Sequence, residues 1–249
     1  AICASIAAAQ EANIPIITVV TDLATVHRLW FNDRVTSLLV PTQIVYDLAV
    51  ESGVAPEKLH ITGIPVHPGV IKAEGSKKEI RERLGWDPDL FTILAVGSKR
   101  VEGLPEALNV INHFGHPLQL AVVAGKDEEM VTELKGVEWH IPAFVYEFVT
   151  NMPELMHAAD LIVCKAGGLI VTESLACGLP MMLINVIPGQ ETGNMEYVVQ
   201  NGAGILANDP MSVLESLAHF TSNGMKSLEE AAVAAKKLGC PQAAYEAAD

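Results

Sequence analysis

Two stretches of alternating strand-like and helix-like segments, split by a Pro- and Gly-rich break, predict an α/β protein with parallel sheets in two lobes. Three observations carry that expectation. Apolar runs such as "PIITVV" and "MMLINVIP" are continuous, as in strands buried on both faces. Hydrophobic residues make up 50% of the 249 residues but aromatics only 5%, so the core is built of Ala, Val, Leu and Ile. Helix-like segments with recognisable start and stop residues fall between the runs.

The first lobe opens on "CASIAAAQEAN" (residues 3–13), which predicts a helix ending at Asn13. "PIITVVTD" (15–22) is rich in β-branched residues and predicts a buried strand. "TSLLVP" is a second strand. "TQIVYDLAVESG" is an amphipathic helix with Thr42 as N-cap and Gly53 as its stop. "KLHITG" is a third strand. "IPVHPGVIKAEGSKK" (64–78) holds two prolines, two glycines and a charged end, and reads as an interdomain linker.

Beyond the break the alternation restarts. Helix "KKEIRERLG" leads to strand "FTILAVG", helix "LPEALNVINHF" to strand "LQLAVVAG", and helix "DEEMVTELK" to strand "IPAFVYEF". Helix "MPELMHAA" then leads to strand "LIVC", helix "LIVTESLACG" to strand "PMMLIN", and helix "ETGNMEYVVQNG" to a short "AGILA". Further helices follow. The domains expected are 1–68, a linker at 69–78, a complete Rossmann-like domain at 79–237 and a tail at 238–249. The first lobe starts inside a helix and offers only three strands, fewer than a doubly wound domain usually holds. The expectation is a first lobe that lacks its beginning; a genuinely small leading lobe is the alternative.

Charge narrows the function. Lys and Arg number 16 against 30 Asp and Glu, a formal charge of −14. Nucleic acid is excluded as the expected partner, because binding its backbone needs clustered cations. A broad electrostatic dock onto anionic lipid is disfavoured for the same reason. No apolar run approaches the roughly 18–20 residues that span a bilayer, and no basic segment with a cleavage site reads as a signal peptide. Cys3, Cys164, Cys177 and Cys240 form no C-x-x-C pair and read as free thiols of a reducing cytoplasm.

Open α/β sheets bind ligands at the carboxyl ends of their strands. Four strand ends should therefore face one crevice: Gly97-Ser98-Lys99-Arg100, Ala124-Gly125-Lys126, Lys165-Ala166-Gly167-Gly168 and Val186-Ile187-Pro188-Gly189-Gln190-Glu191. Gly167 and Gly168 stand where a strand turns into a helix. Either they let a phosphate reach the helix N-terminus, or they supply positive φ for a tight turn. Glu173, about one turn on, is favoured there by the helix dipole alone, yet it is also placed to accept both hydroxyls of a ribose. Gln190, Glu191 and Asn194 follow a Pro-Gly turn; they offer the donors and acceptors that sugar hydroxyls need, or they cap the next helix. Lys165 is a phosphate counter-charge or a rim charge. His27 could pair with Asp22 in a cleft, or both are loop polar residues. His67, His113 and His116 read as solvated. No His, Cys or carboxylate set has metal-ligand spacing, and no G-x-S-x-G elbow occurs.

The stretch "LMHAADLIVCKAGGLIVTESLACGLPMMLINVIPGQETGNMEYVVQNGAG" resembles the C-terminal domain of family-28 glycosyltransferases. "TVVTDLATVHRLWF", "TGIPVHP" and "VYEFVTNMPELM" resemble the branch of processive diacylglycerol glycosyltransferases and monogalactosyldiacylglycerol synthases. The resemblance runs from about residue 15 to 207. It implies a GT-B fold, two Rossmann-like domains with parallel sheets facing across a cleft, the N-terminal one incomplete. It implies a UDP-sugar as donor substrate with no cofactor or metal, and an inverting hexosyl transfer to a lipid acceptor such as diacylglycerol. By position, Glu173 would bind the ribose, and Gly167 and Gly168 would abut the diphosphate with Lys165 beside them. Gln190, Glu191 and Asn194 would contact the sugar, and the backbone near Phe148 and Val149 would meet the uracil. Gly97 and Ser98 would help with phosphates, although their loop, "GSKRVEG", departs from the family's glycine-richer pattern. The family opens with a strand and a glycine-rich loop ending in His, implicated in acceptor recognition and base catalysis. No such segment occurs here, so no catalytic residue is assigned and this chain alone is expected to bind donor without turnover. The resemblance also implies a cytoplasmic enzyme, peripheral at the inner face of the membrane through the first lobe. A non-catalytic nucleotide-sugar-binding module, or a donor-binding subunit that needs a separate acceptor lobe, is the alternative.

Overall fold

A computed structural model describes residues 11, 14–71, 74–97 and 101–249. The helix expected over residues 3–13 lies almost wholly outside the described residues.

The first lobe holds β1 (Ile17–Val19), β2 (Ser37–Val40) and β3 (Leu59–Ile61), parallel and in that order. Helix α1 (Gln43–Glu51) packs on them. Thr42 caps it as expected, its hydroxyl accepting from the Val45 amide. Gly53 follows the C-cap at φ +94°, a conformation that excludes most side chains. Leu38, Val40, Val45 and Leu59 form the small core. The expectation that β1 is buried on both faces fails. Ile17 is 59% exposed and Val19 38% exposed. Among the described residues β1 pairs only with β2, so its β-branched run satisfies strand geometry without two-sided burial.

The second lobe is a doubly wound unit. Its strands are β4 (Phe91–Val96), β5 (Leu118–Val123), β6 (Ala143–Tyr146), β7 (Leu161–Lys165), β8 (Met181–Asn185) and β9 (Gly204–Leu206). All are parallel, in the order β6-β5-β4-β7-β8-β9. Helix α2 (Lys77–Leu84) leads into β4, and the crossover helices are α3 (Leu104–Asn112), α4 (Glu128–Lys135), α5 (Met152–Ala158), α6 (Gly168–Cys177) and α7 (Thr192–Gln200). They cover both faces in two apolar layers, one centred on Ile93, Leu120 and Val163, the other on Leu94, Ile162 and Leu183. Alternate residues of one strand thus feed opposite cores, which is why these strands read as unbroken apolar runs.

Between the lobes, His67 caps a 3-10 turn at Pro68–Val70 and Ser76 opens α2 in a capping box with Glu79. Arg81 fixes α2 to the second sheet. Its guanidinium is buried and meets Asp160 Oδ2 at 2.6 Å while donating to the Ala158, Pro88 and Leu90 carbonyls. The last helices are α8 (Pro210–Thr221), α9 (Lys226–Leu238) and α10 (Ala243–Glu246). Helix α9 packs along α6, and the residues after it return to the first lobe. A side chain at Gly63 (φ +80°) would start 2.5 Å from Cys240 Cβ and 3.2 Å from Ala243 Cβ. Among the described residues no helix is long and apolar enough to cross a membrane.

Candidate functional site

The parallel sheet sets the C-terminal ends of β4, β5, β7 and β8 along one edge, and the strand order reverses between β4 and β7. That reversal opens a crevice. Lys165 ends β7, and α6 begins three residues later at Gly168, with Gly167 as its N-cap. Gly167 has φ −72°, and neither it nor Gly168 is at positive φ, so the tight-turn explanation does not hold for this pair. Helix α6 has no side-chain cap, and the amides of Gly168, Leu169 and Ile170 have no hydrogen-bond partner among the described residues. Those donors, at the positive end of a ten-residue helix, suit an anion.

The Pro-Gly-Gln-Glu segment lies beside this helix end, and its polar residues divide by partner. Glu191 is 3% exposed; its Oε1 receives the Lys165 ammonium at 2.5 Å and its Oε2 accepts from the Ile187 amide at 3.1 Å. Asn194 is 1% exposed and faces the first lobe. Its Oδ1 accepts from the Leu23 amide at 2.8 Å, and its Nδ2 lies 3.3 Å from both Asp22 Oδ1 and the Ala166 carbonyl. Asp22 is therefore paired with Asn194 and not with His27, whose Nδ1 instead accepts from the Leu29 amide of its own turn. Of the three residues expected at the sugar, only Gln190 is exposed.

Glu173 stands farther along α6, in a separate cavity of about 510 Å³ that also takes in His67, Arg83, Thr150, Asn151 and Glu154. No hydrogen bond holds its carboxylate among the described residues. Burial raises its pKa above the usual carboxylate value, and the neighbouring His67 pulls in the opposite direction. His67, read from sequence as solvated, is exposed but shares the cavity with Glu173. The Val149 segment runs from β6 into this cavity through Thr150 and Asn151. Phe148 is 61% exposed and lies apart, with the Lys126 ammonium 5.0 Å from its ring centre.

A side chain at Gly97 would start 2.5 Å from Leu104 Cδ2 and 2.9 Å from Met130 Sδ, so Gly97 packs closely against α3 and α4. Ser98 lies outside the described residues. Two features escaped the sequence. Asn185, at the end of β8, has a buried side-chain oxygen with no hydrogen-bond partner among the described residues, an arrangement that costs about 1–3 kcal/mol unless something donates to it. The other is the inter-lobe role of Asn194, set by a residue far away in sequence. Cys164 and Cys177 sit near the site, but burial pushes both thiols up to about 12, which leaves them unreactive.

Comparison with known proteins gives the family. A profile described as the glycosyltransferase family 28 C-terminal domain matches residues 94–247. The chain belongs to glycosyltransferase family 28. A profile for monogalactosyldiacylglycerol (MGDG) synthase matches residues 2–66. The chain is 32% identical over 244 residues to a probable MGDG synthase 2, chloroplastic, of Oryza sativa subsp. indica, covering 94% of this chain and 52% of the relative. It is 34% identical over 240 residues to MGDG synthase 3, chloroplastic, of Arabidopsis thaliana, covering 92% and 51%. The chain thus spans about half the length of these relatives. Among solved structures it is similar to HepE of Anabaena in complex with UDP and glucose, with TM-score 0.62, 15% identity, and 98% and 73% coverage. MurG of Acinetobacter baumannii gives TM-score 0.68, 19% identity, and 97% and 67% coverage. MnaA of S. aureus with UDP gives 0.70, 14%, and 98% and 70%. These likenesses show the GT-B fold expected from the motifs.

Proposed function

We propose that this family-28 chain carries the donor site of a UDP-sugar-dependent hexosyltransferase whose acceptor is a lipid such as diacylglycerol. The observation that carries the reading is the open N-terminus of α6 at the switch point of the sheet, with an unpartnered carboxylate, Glu173, in a cavity farther along the same helix. Relatives named as MGDG synthases support the acceptor class, and the UDP complex of the similar HepE supports the nucleotide.

In the reaction, the acceptor hydroxyl oxygen bonds to the anomeric carbon on the face opposite the diphosphate. The bond from that carbon to the diphosphate oxygen breaks, its electron pair leaves with UDP, and a base takes the hydroxyl proton. The three free amides of α6 meet the negative charge that develops on the leaving group, and they are already oriented before reaction. Donor binding requires no cofactor in this account. Glu173 accepts the ribose hydroxyls, Gln190 meets the sugar, and Glu191 holds Lys165 at the crevice rim. Leu29 and Trp30, 85% and 53% exposed on the first lobe, give an apolar tip suited to an acceptor at the membrane–water boundary. The 3-10 turn at Pro68–Val70 serves as the hinge for cleft closure.

Saturation transfer from the chain to the ribose protons of UDP tests the site. Transfer to the ribose that disappears in Glu173→Ala is expected. Strong transfer to the ribose in that variant would place the nucleotide elsewhere.

A further inference from the structure

We propose that Gly168, Gly193 and Asn194 form a latch that seats the first-lobe turn at residues 21–25 against the N-termini of α6 and α7, and that the seated turn tightens donor binding. The second half rests on the donor-site reading above; the first does not. A side chain at Gly168 would start 2.4 Å from the Thr21 carbonyl oxygen. One at Gly193 would start 2.1 Å from Thr25 Oγ1 and 2.4 Å from the Thr25 amide nitrogen. Neither glycine is at positive φ, so close approach of the other lobe is what requires them bare. Asn194 supplies the polar half of the seam through the Leu23 amide and Asp22.

The turn belongs firmly to its own lobe. Thr42 Oγ1 donates to the Leu23 carbonyl at 2.7 Å, and Leu23 is buried. Docking therefore fixes the whole first lobe, not a loose loop. The turn flanks the end of α6 without capping it, since no amide of the first α6 turn donates to the Thr21 carbonyl. It stands beside the amides as a wall on one side, and shielding on that side would strengthen their pull on an anion. Linkage then makes the coupling mutual: the seated turn favours donor, and donor favours the seated turn.

The test compares the unmodified chain with Gly193→Ala and Asn194→Ala, by hydrogen exchange at the Leu23 amide and by titration with UDP. Gly193→Ala is the sharper variant, because alanine favours helix α7 yet collides with Thr25 while leaving Asn194 in place. Leu23 exchange at least tenfold faster in both variants is expected, with β4 and β7 amides unchanged and UDP affinity about tenfold weaker. Unchanged Leu23 exchange in Gly193→Ala would overturn the latch. Faster exchange with unchanged UDP affinity would overturn the coupling. An unmodified chain that does not bind UDP would overturn the donor reading and the coupling together, while the Leu23 amide still decides the latch.

Discussion

Glu173 is poorly compensated by the protein around it: its carboxylate is half-buried, has no hydrogen-bond partner among the described residues, and sits above its ordinary pKa because burial disfavours the charge more than the neighbouring His67 favours it. A carboxyl group with a raised folded-state pKa binds its proton more tightly in the folded than in the unfolded chain. Its favourable share of stability is full below the unfolded value of 4.5 and is lost as pH rises through the folded value. Glu173→Gln should therefore raise the melting temperature at pH 7, with the gain vanishing below about pH 4.5; an equal gain at both pH values would mean that the effect is not electrostatic. Lys165 is the opposite case. Its ammonium neutralises Glu191, which is nearly inaccessible to water. Lys165→Ala leaves that charge with only the Ile187 amide and should cost about 3 kcal/mol in denaturant unfolding at pH 7; a loss below about 1 kcal/mol would show that Glu191 does not need the ammonium. The residue types at 165, 167, 168, 173, 190, 191 and 194 marked a polar crevice in the sequence. Which of them face a ligand was not legible there, because Glu191 and Asn194 are claimed by Lys165 and Leu23 across the fold.

The elements themselves were read closely from local chemistry. Thr42 before α1 and the continuous apolar runs of β4, β5, β7 and β8 fix their segments by short-range rules, and the structure follows them. β1 departs because burial depends on neighbours, not on the run itself. Likewise, nothing near Arg81 in sequence announces that a charged residue of an otherwise polar helix is buried against the Asp160 carboxylate. Arg81→Met should lower stability by about 3 kcal/mol, since Asp160 would keep only Lys77 and the Thr92 amide as partners. Urea unfolding measures it, and a neutral result would mean that the buried Arg81 and half-buried Asp160 contribute no more than packing.

At the scale of the whole molecule, the doubly wound second lobe and the two-lobe plan were legible from alternation and the break at residues 64–78. The way the lobes meet was not. Leu23 and Asn194 lie 171 residues apart, and Gly63 meets Cys240 and Ala243 from the far end of the chain. Such contacts leave only bare glycines as a trace, and those read equally well as turns. The proposed donor site spans this scale too, since it would join the α6 helix end, the Glu173 cavity and the linker carrying His67 around one nucleotide. Because burial raises the Glu173 pKa, UDP affinity should fall more steeply on acidification in the unmodified chain than in Glu173→Gln, and equal pH dependence in the two would remove the carboxylate from the nucleotide. The most direct measurement is calorimetric titration of the chain with UDP at pH 7, beside Glu173→Ala. The account predicts saturable one-site binding that the substitution removes. Binding of equal strength in Glu173→Ala, or none in the unmodified chain, would contradict it.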